Sequence, residues 1–381
     1  MTVESTLLEQ AYVVEEGAYG ETLVDPSATD GFRHQELDLD KKNNREPSPE
    51  KRGTPDRSQS LPRRPDSNWD LSTAFWEPSG TLGTQSYLSK FLKNGMGTRT
   101  IVNLATTVNA APAPTTTSAT LISAGTLAVG DTIVFTVAAG ARREITSVKT
   151  VAGLAITFDA LSVAPDVPGA AVSGVNYKLA SLHPGSLRVF KFHTAGAFKE
   201  AVNGAIVNRI QLTFDGSREV GIAVSGPSKD KFRTGFNPPA GFTTVGTPAS
   251  GLVGNLFVDG TAFLVISAEI TMENNSELRN RELGSSVASG IIHHTDFRNV
   301  TVSVQFYLED VNLIAKAETF TKAVLRLLVG NANGLMVGCV LPSVEFEIPS
   351  IPTTGGPKIV TIEGVAYDPG LGNAAMFLGE H

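Results

Sequence analysis

The feature that most constrains this chain is the strict alternation of apolar and polar side chains from residue 299 to residue 309. One set is apolar: Val300, Val302, Val304, Phe306 and Leu308. The residues between them are polar or amphipathic: Thr301, Ser303, Gln305, Tyr307 and Glu309. Successive side chains of a strand point to opposite faces, so the segment predicts a strand with one buried and one solvated face.

The next part of the chain predicts a β-hairpin. Ala323 to Val329 is apolar, Leu335 to Leu341 returns, and the turn between them is Asn331-Ala332-Asn333-Gly334, whose Asn and Gly supply the positive φ of a tight reversal. We expect Pro342 to end the returning strand, and alternation resumes over residues 344–348. Such strands are typical of an all-β, mainly antiparallel sandwich or barrel.

A few segments depart from this strand pattern. Leu88 to Met96 predicts a short flanking α-helix, with Leu88, Phe91 and Leu92 on one side and a glycine after it. Ala197 to Val202 predicts a turn or a short helix. The Gly- and Pro-rich interval from Gly226 to Gly254 predicts a surface loop.

Charge and cysteine content narrow the possible functions. A formal net charge of -7 argues against a nucleic-acid binder, because affinity for phosphate comes from accumulated Lys and Arg. The single cysteine, Cys339, excludes an internal disulfide and a cysteine zinc site, and its apolar strand predicts a buried side chain.

Catalytic motifs are also missing from the sequence. It contains no glycine-rich phosphate loop, no HExxH and no GxSxG, and no pair of acids stands out as catalytic. His293 and His294 are adjacent, so on a strand they point to opposite faces and are poorly placed to share a metal. We expect no enzymatic activity, no metal and no cofactor.

Membrane insertion and export are not expected either. No apolar run approaches the ~18 residues needed to cross a bilayer. The segment Met1-Thr2-Val3-Glu4-Ser5 lacks the positive start and apolar core of a secretory signal.

Residues 41–66 form a polar excursion between two apolar stretches. They are rich in proline and in mixed charge, and almost nothing in them is apolar. No core can be built from such a composition, so we expect a protruding loop or hairpin. It is a solvated loop, a contact arm for a neighbouring subunit or a DNA-binding segment. The arm is favoured because long loops in compact domains are usually functional, and DNA binding is least favoured because acids are interspersed with the bases. The candidate contact residues are Lys41, Lys42, Arg45, Glu46, Glu50, Lys51, Arg52, Arg57, Arg63 and Arg64.

Residues 98–182 differ in composition from the rest of the chain. Thr, Ala, Val and Gly dominate, charge is sparse, and three short strands are predicted at Asp131 to Val137, Arg143 to Val148 and Leu154 to Phe158. We interpret 98–182 as a small β domain inserted into a main domain formed by 1–97 and 183–381, because insertions succeed at exposed connections.

Several motifs outside 98–182 resemble the tail tube protein of long-tailed bacteriophages. They are YVVEEGAYG at 12–20, KNNREPSPEKRGT at 42–54, SNWDL at 67–71, WEPSGT at 76–81, residues 204–215, ENNSELRNRELG at 273–284 and residues 300–310. The resemblance lies in the general character of these stretches and covers most of the chain outside 98–182.

The resemblance implies a structural protein of the virion tail. Its copies would form hexameric rings, stacked into a hollow tube around a tape-measure protein, with tail terminator and baseplate proteins as further partners. Assembly would take place in the host cytoplasm, and genome DNA would later pass through the lumen without specific binding. If the chain forms such a tube, we expect the polar face of 301–309 to line the lumen or an interface. We expect 41–66 to contact the next ring and 98–182 to lie on the exterior.

Two other functions stay open at this point. The chain is alternatively a baseplate or fibre component that binds a carbohydrate or receptor, with 98–182 as the binding unit. A third function, an enzyme acting on cell-wall polymers, has no residue to support it.

Overall fold

The structure is a computed structural model of the 381-residue chain. It describes residues 9–21, 25–42, 44–47, 60–62, 65–180, 185–193, 198–235, 238–239, 246–279, 282–285, 287–308, 312–351, 358–369 and 375–381. The described residues are mainly antiparallel strands with two α-helices, which confirms the predicted all-β fold.

The strands are, in chain order, β1 (Glu9–Glu15), β2 (Gly31–Phe32), β3 (Glu36–Lys42), β4 (Arg45–Pro47), β5 (Ser60–Pro62), β6 (Asp66–Phe75), β7 (Gly97–Thr107), β8 (Ser118–Thr120), β9 (Thr132–Val137), β10 (Arg142–Ala152), β11 (Ala155–Phe158), β12 (Ala170–Leu179), β13 (Leu187–His193), β14 (Phe198–Ala205), β15 (Arg209–Asp215), β16 (Gly221–Pro227), β17 (Asp230–Gly235), β18 (Gly254–Val258), β19 (Thr261–Phe263), β20 (Val265–Glu273), β21 (Glu277–Arg279), β22 (Gly290–Ile292), β23 (Asn299–Tyr307), β24 (Ala323–Val329), β25 (Val337–Phe346), β26 (Ile359–Ala366) and β27 (Phe377–Glu380). The helices are α1 (Ser89–Met96) and α2 (Asn312–Glu318).

Seven neighbouring strands form one face of the molecule, which we call the front sheet. Their order is β3-β6-β16-β15-β20-β23-β26, and every neighbouring pair is antiparallel. One side of each strand is buried: in β23 this is Val300, Val302, Val304 and Phe306, as the alternation predicts. Burying one row per strand fixes the register, because a slip by one residue would expose that row.

The back of the front sheet is covered by two further layers. One consists of β24, β25 and β18, which continue the same hydrogen-bonded sheet from β26. The other is a separate five-stranded sheet, β17-β14-β13-β1-β2, together with α1. Phe91 of α1 stacks on Trp69 of β6 with ring centroids 5.4 Å apart, and both side chains are fully buried. The main core lies between these layers.

Residues 98–182 contain a second hydrophobic cluster of their own. Its buried members come from β7 to β12 and from the loops between them, and they centre on Phe135 and Phe158, whose rings are 4.9 Å apart. Strand β12 belongs to both cores, since Ala171 lies in this second cluster whereas Val175 and Tyr177 lie in the main one. The division into a main and an inserted domain remains a proposal.

Several local predictions are confirmed. The flanking helix is α1, the three strands predicted within 98–182 correspond to β9, β10 and β11, and the predicted hairpin is β24 paired with β25. Cys339 of β25 is fully buried, and burial raises the pKa of its thiol.

Three local predictions are wrong. Pro342 does not end β25, because the register shifts between the pairs Ala323–Val344 and Leu325–Leu341, and such a bulge accommodates a residue that has no N–H to donate. Residues 197–202 were expected to turn, yet β14 begins at Phe198 and pairs with β13 and β17. The predicted loop from Gly226 contains β17, whose pairing with β14 is a long-range contact that local composition does not encode.

Among the residues described, no helix is both long enough and apolar enough to span a bilayer.

Candidate functional site

The front sheet leaves its outer face open to solvent. On β23 this face carries Thr301, Ser303, Gln305 and Tyr307, which are partly or largely exposed, while their neighbours point into the core. The structure therefore brings four of the five predicted polar residues onto one face, and Glu309 lies outside the described residues. Directly paired residues share a face, so the registers extend this face across all seven strands.

Carboxylates dominate this open face. Asp38 of β3 is paired with Asp70 of β6, Glu269 of β20 with Ser303, and Glu363 of β26 with Ser303 on its other side. The acidic residues of the face are Glu36, Asp38, Asp40, Asp66, Asp70, Asp215, Glu269, Glu273 and Glu363. The cations among its described strand residues are Lys42 and Arg209. The face is therefore strongly negative.

The acids are close enough to influence one another's ionisation. The pKa of Asp70 is raised, first by desolvation and then by the negative charges of Asp38 and Glu36, while Arg209 acts in the opposite direction. Glu36 accepts a hydrogen bond from Ser72 Oγ at 2.9 Å. Like charges on adjacent strands destabilise a sheet, so a cluster of this kind indicates a functional surface.

The two edges of the front sheet differ. The outer edge of β3 is covered by lysines of the separate sheet: Lys191 Nζ donates to the carbonyl of Leu37 at 3.0 Å, and Lys231 Nζ donates to the carbonyl of Leu39. The outer edge of β26 meets β25 only near its end, at residues 364–366, so Ile359 to Ile362 have no second strand partner among the described residues. Lysines on an edge are a common protection against strand addition.

The two ends of the front sheet also differ. At one end, which we call the hairpin end, the paired residues Lys42–Asp66 and Glu273–Asn299 lead into the β4–β5 hairpin, the β21–β22 hairpin and residues 293–298. At the other, the turn end, lie the short turns after β15 and β19 and the last residue of β23. The predicted contact arm therefore leaves the front sheet at the hairpin end.

The structure places only part of that arm. Lys41 Nζ lies 2.5 Å from Asp230 Oδ1 of β17, and Lys42 is exposed on β3. Arg45 and Glu46 lie in β4, which pairs with β5 as a small hairpin. Glu50, Lys51, Arg52, Arg57, Arg63 and Arg64 lie outside the described residues.

Candidate metal ligands do not come together in the part of the chain that is described: it contains no group of three or more His, Cys, Asp or Glu side chains that could hold a metal ion. His294 Nδ1 lies 2.9 Å from the carbonyl of Asn274, and the rings of His293 and His294 are 6.3 Å apart.

Sequence reasoning missed most of the acidic face. Asp38, Asp70 and Glu269 belong to strands far apart in the chain, and only the strand order reveals that they are neighbours. It also missed Phe297, which the structure exposes almost completely at the hairpin end. A polar–apolar alternation around residues 36–42 was the one available signal for the acidic row of β3.

Comparison with known families gives one result for this chain. The family model described as phage tail tube protein matches residues 8–368, nearly the whole length. The matched span encloses residues 98–182. No curated protein matches the chain.

Proposed function

Because the chain belongs to the phage tail tube protein family, we propose that it forms hexameric rings that stack into a hollow conduit for genome DNA. Membership of the family makes it a structural component of the virion tail. The observation that best supports the finer proposal is the open, seven-stranded acidic face, which on this reading lines the lumen.

A negative lumen suits passage of DNA. Phosphates carry one negative charge per ~1.7 Å of duplex, and a surface of like charge offers them no counter-ion sites at which to stick. Glu269, Glu363 and Asp70 would face the DNA in every subunit, and the polar rows of β23 would keep the wall hydrated. The channel would then guide DNA by charge repulsion and by its shape, without binding it specifically.

Ring closure would use the two dissimilar edges of the front sheet. A head-to-tail contact between unlike surfaces closes into a ring when its rotation divides a full turn. The open edge of β26 carries the exposed carboxylate of Glu363, and the nearby Glu347 is also exposed. The edge of β3 is covered by Lys191 and Lys231, which are already paired with Glu9 at 2.9 Å and Glu200 at 3.2 Å. The two edges are therefore unlike, and a contact between unlike edges allows one orientation.

The remaining surfaces fit the other contacts of a tail. The arm at 41–66 projects from the hairpin end, where it would meet the next ring, and 98–182 would decorate the exterior. The tape-measure protein would occupy the lumen before DNA, and terminator and baseplate proteins would cap the two ends of the tube. Assembly would proceed in the host cytoplasm.

Electron microscopy of the purified protein tests the proposal. Native protein, concentrated alone or with its tail partners, should yield six-fold rings and tubes in negative stain. Glu347→Lys combined with Glu363→Lys should leave the chain folded by circular dichroism but monomeric by sedimentation, because both exposed carboxylates at the open edge of β26 would be replaced by cations. Glu318→Lys, on the exposed side of α2, is a matched control that should assemble normally.

A strictly monomeric native protein under all these conditions would refute ring formation. Rings that form equally well from the double variant would instead refute the assignment of the edges.

The carbohydrate-binding alternative loses support from the structure. Sugar-binding sites are lined by exposed aromatic rings, yet the three aromatic residues of 98–182, Phe135, Phe158 and Tyr177, are all buried.

A further inference from the structure

Phe297 is an exposed aromatic side chain on a hydrogen-bonded loop at the hairpin end. It is 91% exposed. Its carbonyl accepts a hydrogen bond from Asn275 Nδ2 at 2.6 Å, and Thr295 N donates to the carbonyl of Asn275 at 2.8 Å. The next residue, Arg298, donates from Nε to Asn274 Oδ1 at 2.7 Å. These bonds fix the loop although its aromatic side chain contacts almost nothing.

The backbone here also has an uncommon conformation. Asn275 has a φ of 51° and His294 a φ of 51°, in the left-handed region that non-glycine residues other than Asn, Asp and His rarely adopt. A conformation of this kind persists where the surroundings enforce it, and it gathers at functional sites. An apolar ring presented rigidly to solvent is preorganised for binding, because little side-chain and loop entropy remains to be lost.

An apolar pocket large enough for a phenylalanine ring lies at the turn end of the front sheet, opposite the hairpin end that carries Phe297. Its volume is about 210 Å³, and its apolar wall includes Leu256, Phe263, Leu264, Val265 and Leu327. Leu264 at its rim is 77% exposed. An apolar cavity of about 150 Å³ accepts a benzene ring, so this pocket has room for a phenylalanine side chain.

We propose that Phe297 of one copy inserts into this pocket of a second copy of the chain, and that this contact stacks one ring on the next. The inference rests on the proposed function. A sheet has two in-plane directions: if the edges of β3 and β26 close the ring, the strand ends are left to join rings. Phe297 adjoins the hairpin end of β20 and β23, the pocket surrounds the start of β20, and the nine residues of β20 separate them by about 27 Å.

One acid and one cation lie beside the two features. Asp296, next to Phe297, is exposed. At the pocket, the carbonyl of Arg218 accepts a hydrogen bond from the lining residue Gly251 at 2.8 Å, and the Arg218 side chain is exposed. The lining carboxylate of Asp215 accepts hydrogen bonds from Ser217 N and Oγ, at 2.8 and 2.7 Å, and the charge of Arg218 helps to lower its pKa. A neighbouring Asp296 would therefore share the Arg218 cation with Asp215.

The small area that one Phe297 side chain can bury explains why this contact would act only in an assembly. A buried aromatic side chain covers about 150–250 Å², whereas a stable pairwise interface needs roughly 1,200 Å² in total. One Phe297 contact cannot hold two free subunits together. Six such contacts between two closed rings, together with the 41–66 arms, act at once and raise the effective affinity.

Single substitutions separate stacking from ring closure. Phe297→Ala removes the ring, and Ala262→Trp fills the pocket from its exposed rim; each should leave six-fold rings intact while abolishing tubes in negative stain. Phe320→Ala removes another phenylalanine, 68% exposed, and should stack normally. Tubes that persist in Phe297→Ala, or that are lost equally in Phe320→Ala, would overturn the proposal.

Cysteine pairing tests the contact directly. Native Cys339 is buried, so Asp296→Cys, which keeps the neighbouring Phe297 ring, and Leu264→Cys at the pocket introduce the reactive thiols. The double variant, assembled and treated with a mild oxidant, should give a ladder of disulfide-linked chains on a non-reducing gel. The same treatment of either single variant, or of Phe320→Cys with Leu264→Cys, should give none. No ladder from the double variant in formed tubes would overturn the proposal, whereas absence of rings from native protein would count against the proposed function itself.

Discussion

The main core and the core of 98–182 are both apolar clusters between β-strands, but different layers enclose them. Each contains a pair of contacting aromatic side chains, Phe91 stacked on Trp69 in the main core and Phe158 tilted against Phe135 in the other. The main core has layers on both sides and a helix, whereas the smaller one is enclosed by β7 to β12 and the loops between them. Each is therefore a separate apolar cluster within one chain.

The seam between the two cores combines apolar, ionic and hydrogen-bonding contacts. Val134 and Ile145 from the smaller region pack with Leu328, Met336 and Val340. Such a seam shows that a separate core does not by itself make an independent domain, because strongly coupled contacts cross the boundary.

Polar groups of the seam are buried as deeply as its apolar ones. Glu144 Oε2 of β10 lies 3.1 Å from Arg326 Nη1 of β24, and both side chains are fully buried. Arg326 also stacks over the ring of Phe257, 5.2 Å from its centroid. Removing the Glu144 carboxylate would leave the buried Arg326 guanidinium without its paired anion, whereas Glu144 would keep a contact with Arg142 Nε at 3.0 Å if Arg326 were removed.

The largest expected effects come from matched deletions in the two cores. Phe91→Ala and Phe158→Ala should each cost about 3–5 kcal/mol, because each removes a fully buried ring and leaves a cavity. We expect Phe91→Ala to lower protection throughout the front sheet, and Phe158→Ala to lower it mainly within 98–182. Chemical denaturation with segment-resolved hydrogen exchange measures both.

A uniform loss of protection after Phe158→Ala would mean that the two cores unfold as one unit. In that case the proposed division of the chain would have no energetic basis.

The next effect concerns the seam. Glu144→Ala should destabilise the chain by about 3 kcal/mol, because it leaves the Arg326 guanidinium buried without its carboxylate. The double variant Glu144→Leu with Arg326→Met should recover most of that loss, since an apolar pair needs no desolvation of charge. Equilibrium unfolding of the three proteins measures the recovery.

Arg142 provides a control for this prediction, because it pairs with the same Glu144 carboxylate. Its Nε lies 3.0 Å from Glu144 Oε1, but its side chain is about one third exposed. Arg142→Ala should therefore cost less than 1 kcal/mol. An equal cost for Arg142→Ala and Glu144→Ala would show that burial of Arg326 is not the cause.

The sequence predicts those parts of the fold that depend on local pattern. Alternation over 299–307 correctly predicts β23 and its two faces, and the Asn-Gly turn correctly predicts the hairpin of β24 and β25. The apolar spacing at Leu88, Phe91 and Leu92 correctly predicts α1. In each case the residues that determine the element are close together in the chain.

Features that depend on distant partners escape such reasoning. Glu144 and Arg326 are 182 residues apart, and nothing near either one indicates a buried ion pair. The division at 98–182 follows a real change in composition, yet Val175 and Tyr177 of that segment belong to the main core. The acidic face likewise needs the strand order, and Phe297 becomes notable only when its exposure is known.

A gradual effect should appear when the pH is lowered. His381 is fully buried at the seam: its Nε2 lies 2.9 Å from Thr132 Oγ1 of β9, and Gly174 N of β12 donates to its Nδ1 at 3.2 Å. Burial lowers the pKa of His381 from 6.5 to about 3. Between these pH values His381 is protonated in the unfolded chain and neutral in the folded chain. The free energy of unfolding therefore falls as the pH drops from about 6.5 towards 3.

The expected slope from this group is about 1.4 kcal/mol per pH unit within that window. His381→Gln keeps an acceptor and a donor at the seam but cannot titrate, so its unfolding free energy should depend less on pH by that amount. Identical pH profiles of the two proteins between pH 6.5 and 4 would show that His381 does not carry the effect. Carboxylates elsewhere contribute equally to both profiles and cancel in the difference.

The smallest effect is expected on the exposed surface of 98–182. Thr150 Oγ1 and Thr157 Oγ1 lie 2.6 Å apart on the paired strands β10 and β11, and both side chains are exposed. Thr150→Ala should cost about 0.5 kcal/mol, the usual value of one cross-strand pair. It should leave ring and tube formation unchanged if 98–182 decorates the exterior, which electron microscopy of the variant can check. A variant of normal stability that fails to assemble would instead place this surface in a subunit contact, and the smaller core would then be part of the tube wall.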